Sequence, residues 1–128
     1  MAQRLLIDTD VLIDYLRGRA EAVSYLDSLT EPLLISAITV AELYAGVREG
    51  AERVALERFL SVFHVIPVDD AIAANGGLIR RDYGKSHGVG LADAIIASTA
   101  EFRKAELVTL NKKHFPMLSN VVTPYRKD

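Results

Sequence analysis

The stretch LLIDTDVL, residues 5–12, places two aspartates directly after a short apolar run. Residues 4–8, RLLID, have the length and composition of a buried strand that closes on Asp8. Apolar residues then recur at helical spacing, at Val11, Leu12, Tyr15 and Leu16. A buried strand that leads into a helix is typical of a parallel α/β sheet, in which functional groups gather beyond the carboxyl ends of the strands. We therefore expect Asp8 to lie at that edge of a sheet.

The rest of the chain alternates short apolar runs with amphipathic segments. The further predicted strands are 33–36, 64–68, 106–110 and 121–123, with Pro67 favouring an edge position for the second of these. The predicted helices are 10–17, 20–29, 39–47, 51–63, 69–83 and 91–104, and the Gly-rich stretch 84–90 is predicted as a loop. This alternation predicts an α/β fold with a central, mostly parallel sheet of four to five short strands flanked by helices, in a single domain spanning residues 1–128.

Composition excludes several classes of protein. The chain has no cysteine, which rules out disulfides and thiolate metal sites. It shows neither a signal-peptide pattern nor an apolar run of membrane-spanning length, so we expect a cytoplasmic protein with no membrane contact. Its formal net charge of −2 argues against binding nucleic acid through overall charge. Any phosphate contacts must be local, and the candidate cations form three clusters: Arg80, Arg81 and Lys85, then Arg103 and Lys104, then Lys112 and Lys113.

Three carboxylates fall at helix starts or strand ends: Asp8, Glu42 and Asp93. A parallel topology brings these positions together at the edge of the sheet where the strands have their carboxyl ends, which we call the rim. Each has a local alternative role. Asp8 is a candidate N-cap, Glu42 stands in capping-box position after Thr39, and Asp93 is a first-turn acid. Three unpaired anions in one place repel one another, and a divalent cation relieves that repulsion. Ligands that offer only oxygen favour Mg²⁺ or Mn²⁺ over Zn²⁺.

Four stretches resemble, in order and spacing, the sequence blocks of PIN-domain ribonucleases, and more narrowly those of the VapC toxins of toxin–antitoxin pairs. These stretches are IDTDVLIDYLRG (7–18), ISAITVAELYAG (35–46), GLADAIIASTA (90–100) and LVTLNKKHF (107–115). The resemblance implies a PIN-like three-layer fold and a metal-dependent endoribonuclease. It implies that Asp8, Glu42 and Asp93 bind the metal and position the attacking water. Asp8 and Asp93 match the direct Mg²⁺ ligands, and Mn²⁺ is expected to substitute.

The last block departs from the family pattern. His114 stands where many relatives carry a fourth acid, which favours one-metal chemistry over a two-metal clamp. Asn111 and Thr109 match a polar pair near the family's active centre, where they orient the water shell of the metal. Asn111 is therefore counted with the catalytic group.

The resemblance also implies partners: an RNA substrate, a cognate VapB-type antitoxin and a second copy of the chain in a homodimer. Two other functions stay open on the residues alone. Asp8 and Asp10 have the spacing of the acids in haloacid-dehalogenase phosphotransferases, in which the first aspartate is the nucleophile. A non-catalytic module whose acidic groove accepts a basic peptide is the second alternative. Metal-dependent RNA cleavage separates the nuclease from both.

Overall fold

The computed structural model describes residues 4–127, which form short parallel strands alternating with helices. The strands are β1 Leu5–Ile7, β2 Leu33–Ser36, β3 His64–Ile66, β4 Glu106–Val108 and β5 Val121–Val122. The helices are α1 Thr9–Leu16, α2 Ala20–Asp27, α3 Ala37–Ala45, α4 Ala51–Leu60, α5 Asp70–His87 and α6 Leu91–Arg103, with a 3₁₀ turn at Lys112–His114. The predicted alternation of strands and helices is confirmed, and most elements begin and end within a few residues of the predicted bounds.

The five strands form one sheet in the order β3-β2-β1-β4-β5. Every neighbouring pair is parallel, so the sheet is parallel throughout the described residues. β1 lies at the centre between β2 and β4, and β3 is an edge strand, as Pro67 indicated. Because the strands share one direction, their carboxyl ends share one rim, which carries Asp8, Ser36 and Thr109.

Helices cover both faces of the sheet and give three layers. Alternate residues of β1 point to opposite faces, since the side-chain period of a strand is two. Leu6 packs into the core cluster formed with α5 and α6, whereas Leu5 and Ile7 pack into the cluster formed with α1 to α4. No helix among residues 4–127 is both long enough and apolar enough to cross a membrane.

Two local predictions are wrong. Ser36, not Thr39, caps α3: its hydroxyl accepts a hydrogen bond from the Ile38 N–H at 3.1 Å. Glu42 therefore lies in the second turn of α3, and the capping box predicted for it does not form. The stretch 84–90 is not all loop, because α5 continues through His87 and ends only at Gly88, whose φ of +65° is the left-handed conformation that glycine adopts readily.

Candidate active site

Asp8 is the most buried acid of the rim, with 5% of its surface exposed. It occupies the N-cap position of α1, and its Oδ1 accepts a hydrogen bond from the Thr9 N–H at 2.8 Å. Its Oδ2 accepts the hydroxyl proton of Thr109 at 2.6 Å. The capping role expected as an alternative is thus present, and Thr109 adds a second contact that joins the end of β1 to the end of β4.

Asp10 joins the same two elements from the first turn of α1. Its Oδ2 accepts the backbone N–H of Leu110 at 3.1 Å and lies 3.4 Å from the Thr109 hydroxyl. Its Oδ1 is buried and has no hydrogen-bond partner within the described part of the chain. A buried carboxylate oxygen without a donor is costly unless water or a cation reaches it.

Glu42 reaches the rim from the second turn of α3. The residue is exposed, and its Oε1 accepts a hydrogen bond from the Thr9 hydroxyl at 2.7 Å. Thr9 directly follows Asp8, so this bond ties the tip of the Glu42 side chain to the segment that carries Asp8.

Asp93 enters from the first turn of α6, next to the 3₁₀ turn. Its Oδ2 lies 3.3 Å from Nδ1 of His114. The Asn111 side-chain amide lies 2.8 Å from the same nitrogen, and the Asn111 backbone N–H donates to the Thr109 hydroxyl at 3.1 Å. His114, the residue in place of a fourth acid, is therefore in direct contact with Asp93.

A continuous series of short contacts joins the four residues predicted for the site. It runs through Glu42, Thr9, Asp8, Thr109, Asn111, His114 and Asp93. The structure thus brings to one rim four side chains that are spread over most of the sequence.

Burial and neighbouring anions disfavour the charged form of Asp8. Loss of solvent, followed by the charges of Asp10 and Asp93, raises the pKa of Asp8 from 3.8 to about 7. Hydrogen bonds from Thr109 and the Thr9 backbone oppose this shift but do not cancel it. Burial likewise raises the pKa of Asp10. Asp8 and Asp10 are therefore poorly solvated as anions, and a cation bound at the rim would stabilise their charged forms.

The donor set fits a hard divalent cation. All the acidic and hydroxyl groups of the rim offer oxygen, which suits Mg²⁺ or Mn²⁺. Within residues 4–127, no group of three or more His, Asp or Glu side chains is arranged to hold a metal ion unaided. Mg²⁺ does not need such a cage, because it keeps several waters and binds proteins through one or two carboxylates. Asp8 and Asp93 are the pair that would hold it.

The sequence did not reveal how Thr9 and Thr39 contribute. The two hydroxyls lie 3.0 Å apart between α1 and α3, and both residues are buried. The only sequence signal was a pair of threonines in the two stretches that carry Asp8 and Glu42. Threonine is common in strands, caps and cores alike, so this signal has little specificity.

Comparison with known proteins agrees with the fold. A family model described as "PIN domain" matches residues 5–118. The chain is 42% identical over 124 residues to Ribonuclease VapC10 of Mycobacterium tuberculosis, covering 94% of this chain and 92% of that protein. It is 35% identical over 117 residues to Ribonuclease VapC1 of Methanocaldococcus jannaschii, covering 90% and 81%.

A solved structure agrees as well. A chain of a toxin–antitoxin complex from Klebsiella pneumoniae superposes with a TM-score of 0.83 at 34% identity, covering 96% of this chain and 99% of that one. The family model covers most of the chain, and the relatives match it nearly from end to end. The chain therefore belongs to the PIN-domain family and, within it, to the VapC type.

Proposed function

We propose that this chain is an endoribonuclease toxin that hydrolyses RNA phosphodiester bonds with the help of Mg²⁺. The observation that carries the proposal is the rim on which Asp8, Glu42 and Asp93 are joined through short contacts. Relatives named as ribonucleases support RNA as the substrate class. Mn²⁺ is expected to replace Mg²⁺, because both accept oxygen ligands.

The three carboxylates differ in burial, and we assign them different roles on that basis. Asp8 is buried and fixed by two hydrogen bonds, and Asp93 on α6 lies near enough for its charge to raise the pKa of Asp8, so these two would hold the cation. A cation bound there would supply Lewis-acid chemistry, which would polarise the scissile phosphate and make water a better nucleophile. Asn111 would orient the surrounding waters through its side-chain amide, whereas the fully buried Thr109 hydroxyl holds the Asp8 carboxylate in place.

Glu42 acts on the attacking water. Its exposed carboxylate orders the water and takes one of its protons as the oxygen bonds to phosphorus. The bond from phosphorus to the 3′ oxygen breaks, and this leaving oxygen takes up a proton from a solvent water. The products are a 5′-phosphate on one fragment and a 3′-hydroxyl on the other.

Local cations hold the RNA backbone. Lys112 and Lys113 are exposed on the 3₁₀ turn whose last residue, His114, contacts Asp93. Phosphate contacts at this turn would compensate for the net charge of −2 without requiring a basic protein. Arg81 is a weaker candidate, because its guanidinium is paired with Asp82 at 2.9 Å.

We also propose that a cognate VapB-type antitoxin silences the rim and that the chain forms a homodimer. A similar solved structure is described as a toxin–antitoxin complex, and another as VapBC2 from Rickettsia felis. An acidic rim of this kind attracts a basic side chain of the antitoxin. Co-expression with the product of the adjacent gene, followed by size determination in solution, should give a complex with two copies of this chain. A monomer both alone and with that product would contradict this part.

Cleavage of a single-stranded RNA by the purified chain tests the main proposal. Wild type should cleave with Mg²⁺ or Mn²⁺ and lose activity in EDTA, and Asp8→Asn should lose at least 100-fold while staying folded. Asp69→Asn is the matched control, because Asp69 is an exposed cap of α5 and asparagine caps equally well. Full activity of Asp8→Asn would reject the site.

Two other outcomes would favour the alternative functions. Absence of cleavage by wild type with either metal would reject the nuclease and favour a binding module. A phosphate trapped on Asp8 would favour the phosphotransferase.

A further inference from the structure

The Thr9 hydroxyl lies between two oxygen atoms from different residues of α3. It is 2.7 Å from Glu42 Oε1 and 3.0 Å from Thr39 Oγ1. A hydroxyl has one proton to donate, and an ionised carboxylate has none. The Thr9 proton therefore goes to Glu42, and Thr39 donates its own proton to Thr9. The two hydroxyls and the carboxylate then all have hydrogen-bond partners. The donation runs in one direction, from Thr39 in the core through Thr9 to Glu42 at the rim.

The two threonines are fixed, whereas Glu42 by itself is not. Thr39 is fully buried and Thr9 nearly so, on two helices that pack against each other. Glu42 is exposed and has three rotatable side-chain bonds, so without a partner it samples many positions. In residues 4–127, the Thr9 hydroxyl is the one side-chain group that donates to this carboxylate.

We propose that Thr9 is a positioning residue that holds Glu42 in place to order the attacking water. This inference rests on the proposed nuclease function and adds a residue to it. Two adjacent residues thus have different roles at the rim. Asp8 would hold the cation, and Thr9 fixes the Glu42 carboxylate that acts on water. Thr9 need not contact the substrate or the ion for this purpose.

A purely structural role for Thr9 predicts different behaviour. If Thr9 mattered only for packing α1 against α3, its loss would lower stability and affect substrate binding and turnover together. Thr9→Val keeps the volume and the β-branch, and it keeps the backbone N–H that donates to Asp8. It removes the hydroxyl alone. Thr9→Ser restores the hydroxyl and removes the methyl group.

The test is steady-state cleavage of a single-stranded RNA oligonucleotide by the full chain in Mg²⁺. Thr9→Val should lower kcat roughly tenfold, as expected for one hydrogen bond to a charged group, with KM within about twofold of wild type. Thr9→Ser should stay within about threefold of wild-type kcat. The matched control is Thr99→Val, which removes a buried hydroxyl bonded within α6 to the Ile95 carbonyl and should leave kcat unchanged. Calorimetric titration with Mn²⁺ should give the same affinity for Thr9→Val as for wild type.

A double-mutant cycle with Glu42→Ala completes the test. In that background Thr9→Val should have no further effect on kcat, because the residue that Thr9 positions is gone. Additive losses, wild-type kcat in Thr9→Val, or a Thr9→Ser variant as impaired as Thr9→Val would each overturn the inference. Should Thr9→Val not fold, Thr9→Ala replaces it in the cycle. A wild-type chain that cleaves no RNA rejects the proposed function itself, whereas an active wild type with an unimpaired Thr9→Val rejects only the role of Thr9.

Discussion

The Thr109 hydroxyl donates to Asp8 Oδ2 at 2.6 Å, although 101 positions separate the two residues in the sequence. The contact forms because β1 and β4 are adjacent and parallel, so their carboxyl ends meet at one rim. Burial disfavours the charged form of the Asp8 carboxylate, whereas this hydrogen bond favours it. It therefore links the topology of the sheet directly to the chemistry of the site.

Loss of the Thr109 hydroxyl should raise the pKa of Asp8 further. Thr109→Val removes a donor to the charged carboxylate and leaves burial and the charges of Asp10 and Asp93 in place. In metal-free protein, an NMR titration of the Asp8 carboxyl carbon should give a higher pKa for Thr109→Val than for wild type. Thr109→Ser keeps the donor and should titrate like wild type. An unchanged or lower pKa in Thr109→Val would show that the hydroxyl does not stabilise the carboxylate.

A larger residue at Gly76 should destabilise the fold, because α5 approaches α6 closely there. A Cβ at position 76 would lie 3.0 Å from Cγ1 and 3.2 Å from Cα of Ile95, two residues beyond Asp93. Gly76→Ala should lower the free energy of unfolding by about 1–3 kcal/mol through overpacking. Gly77→Ala is the matched control in the same helix, since its Cβ meets nothing within 4 Å. It should raise stability by up to about 1 kcal/mol. Denaturant unfolding measures both, and equal effects would contradict the packing.

Asp14 should make stability depend on pH in the acid range. It is 3% exposed and accepts hydrogen bonds from Tyr125 and Lys127, each at 2.8 Å. Burial by itself would raise the pKa of Asp14, but the hydrogen bonds from Lys127 and Tyr125 and the charges of Lys127 and Arg19 together outweigh it, so the pKa falls below 3.8. A lowered folded-state pKa contributes stability that is fully present above the unfolded value of about 4 and is lost as the pH falls through the folded value.

Asp14→Asn should therefore unfold more easily by about 1–3 kcal/mol at pH 7, and its deficit relative to wild type should shrink below about pH 4. The matched control is Asp27→Asn, which also removes a carboxylate bonded to a tyrosine hydroxyl but at an exposed position. It should change stability by less than about 0.5 kcal/mol. A deficit for Asp14→Asn that is constant from pH 7 to pH 3 would show that the charge of Asp14 is not the cause.

The ion-binding stoichiometry should follow from the residue at position 114. With His114 rather than an acid beside Asp93, we expect one Mn²⁺ per chain in calorimetric titration. His114→Asp adds a carboxylate at that position and should tighten Mn²⁺ binding or admit a second ion. His114→Asn, which adds no charge, should bind as wild type does. Two equivalent ions in wild type would contradict the one-metal prediction.

The sequence predicted the strands and the rim well because both depend on local patterns. Short apolar runs ended by polar residues identify buried strands, and parallel pairing follows from their alternation with helices. Asp8 could be placed at the carboxyl end of β1 on that basis alone. The start of α3 was harder to predict, because Ser36 and Thr39 are both good caps and only the sheet decides that Ser36 ends a strand. The end of α5 was misplaced because Gly84 is tolerated inside a helix whose exposed face gives no stop signal before Gly88.

The contacts that orient the side chains of the site could not be predicted from the sequence. The bond from Thr9 to Glu42 joins residues 33 positions apart, and the burial of Asp14 depends on a C-terminal segment more than 100 residues away. No periodicity or spacing records such pairings. They follow from the packing of α1 against α3 and from the return of the chain after β5.

The central claim is that Asp8 and Asp93 together hold a divalent cation at this rim. A crystal structure of the chain grown with Mn²⁺, with anomalous scattering recorded near the manganese edge, tests it most directly. We expect an anomalous peak within about 2.0–2.4 Å of a carboxylate oxygen of Asp8 and of Asp93, completed by waters, and no such peak in Asp8→Asn. A peak bound elsewhere, or a fully occupied peak at the rim in Asp8→Asn, would contradict it.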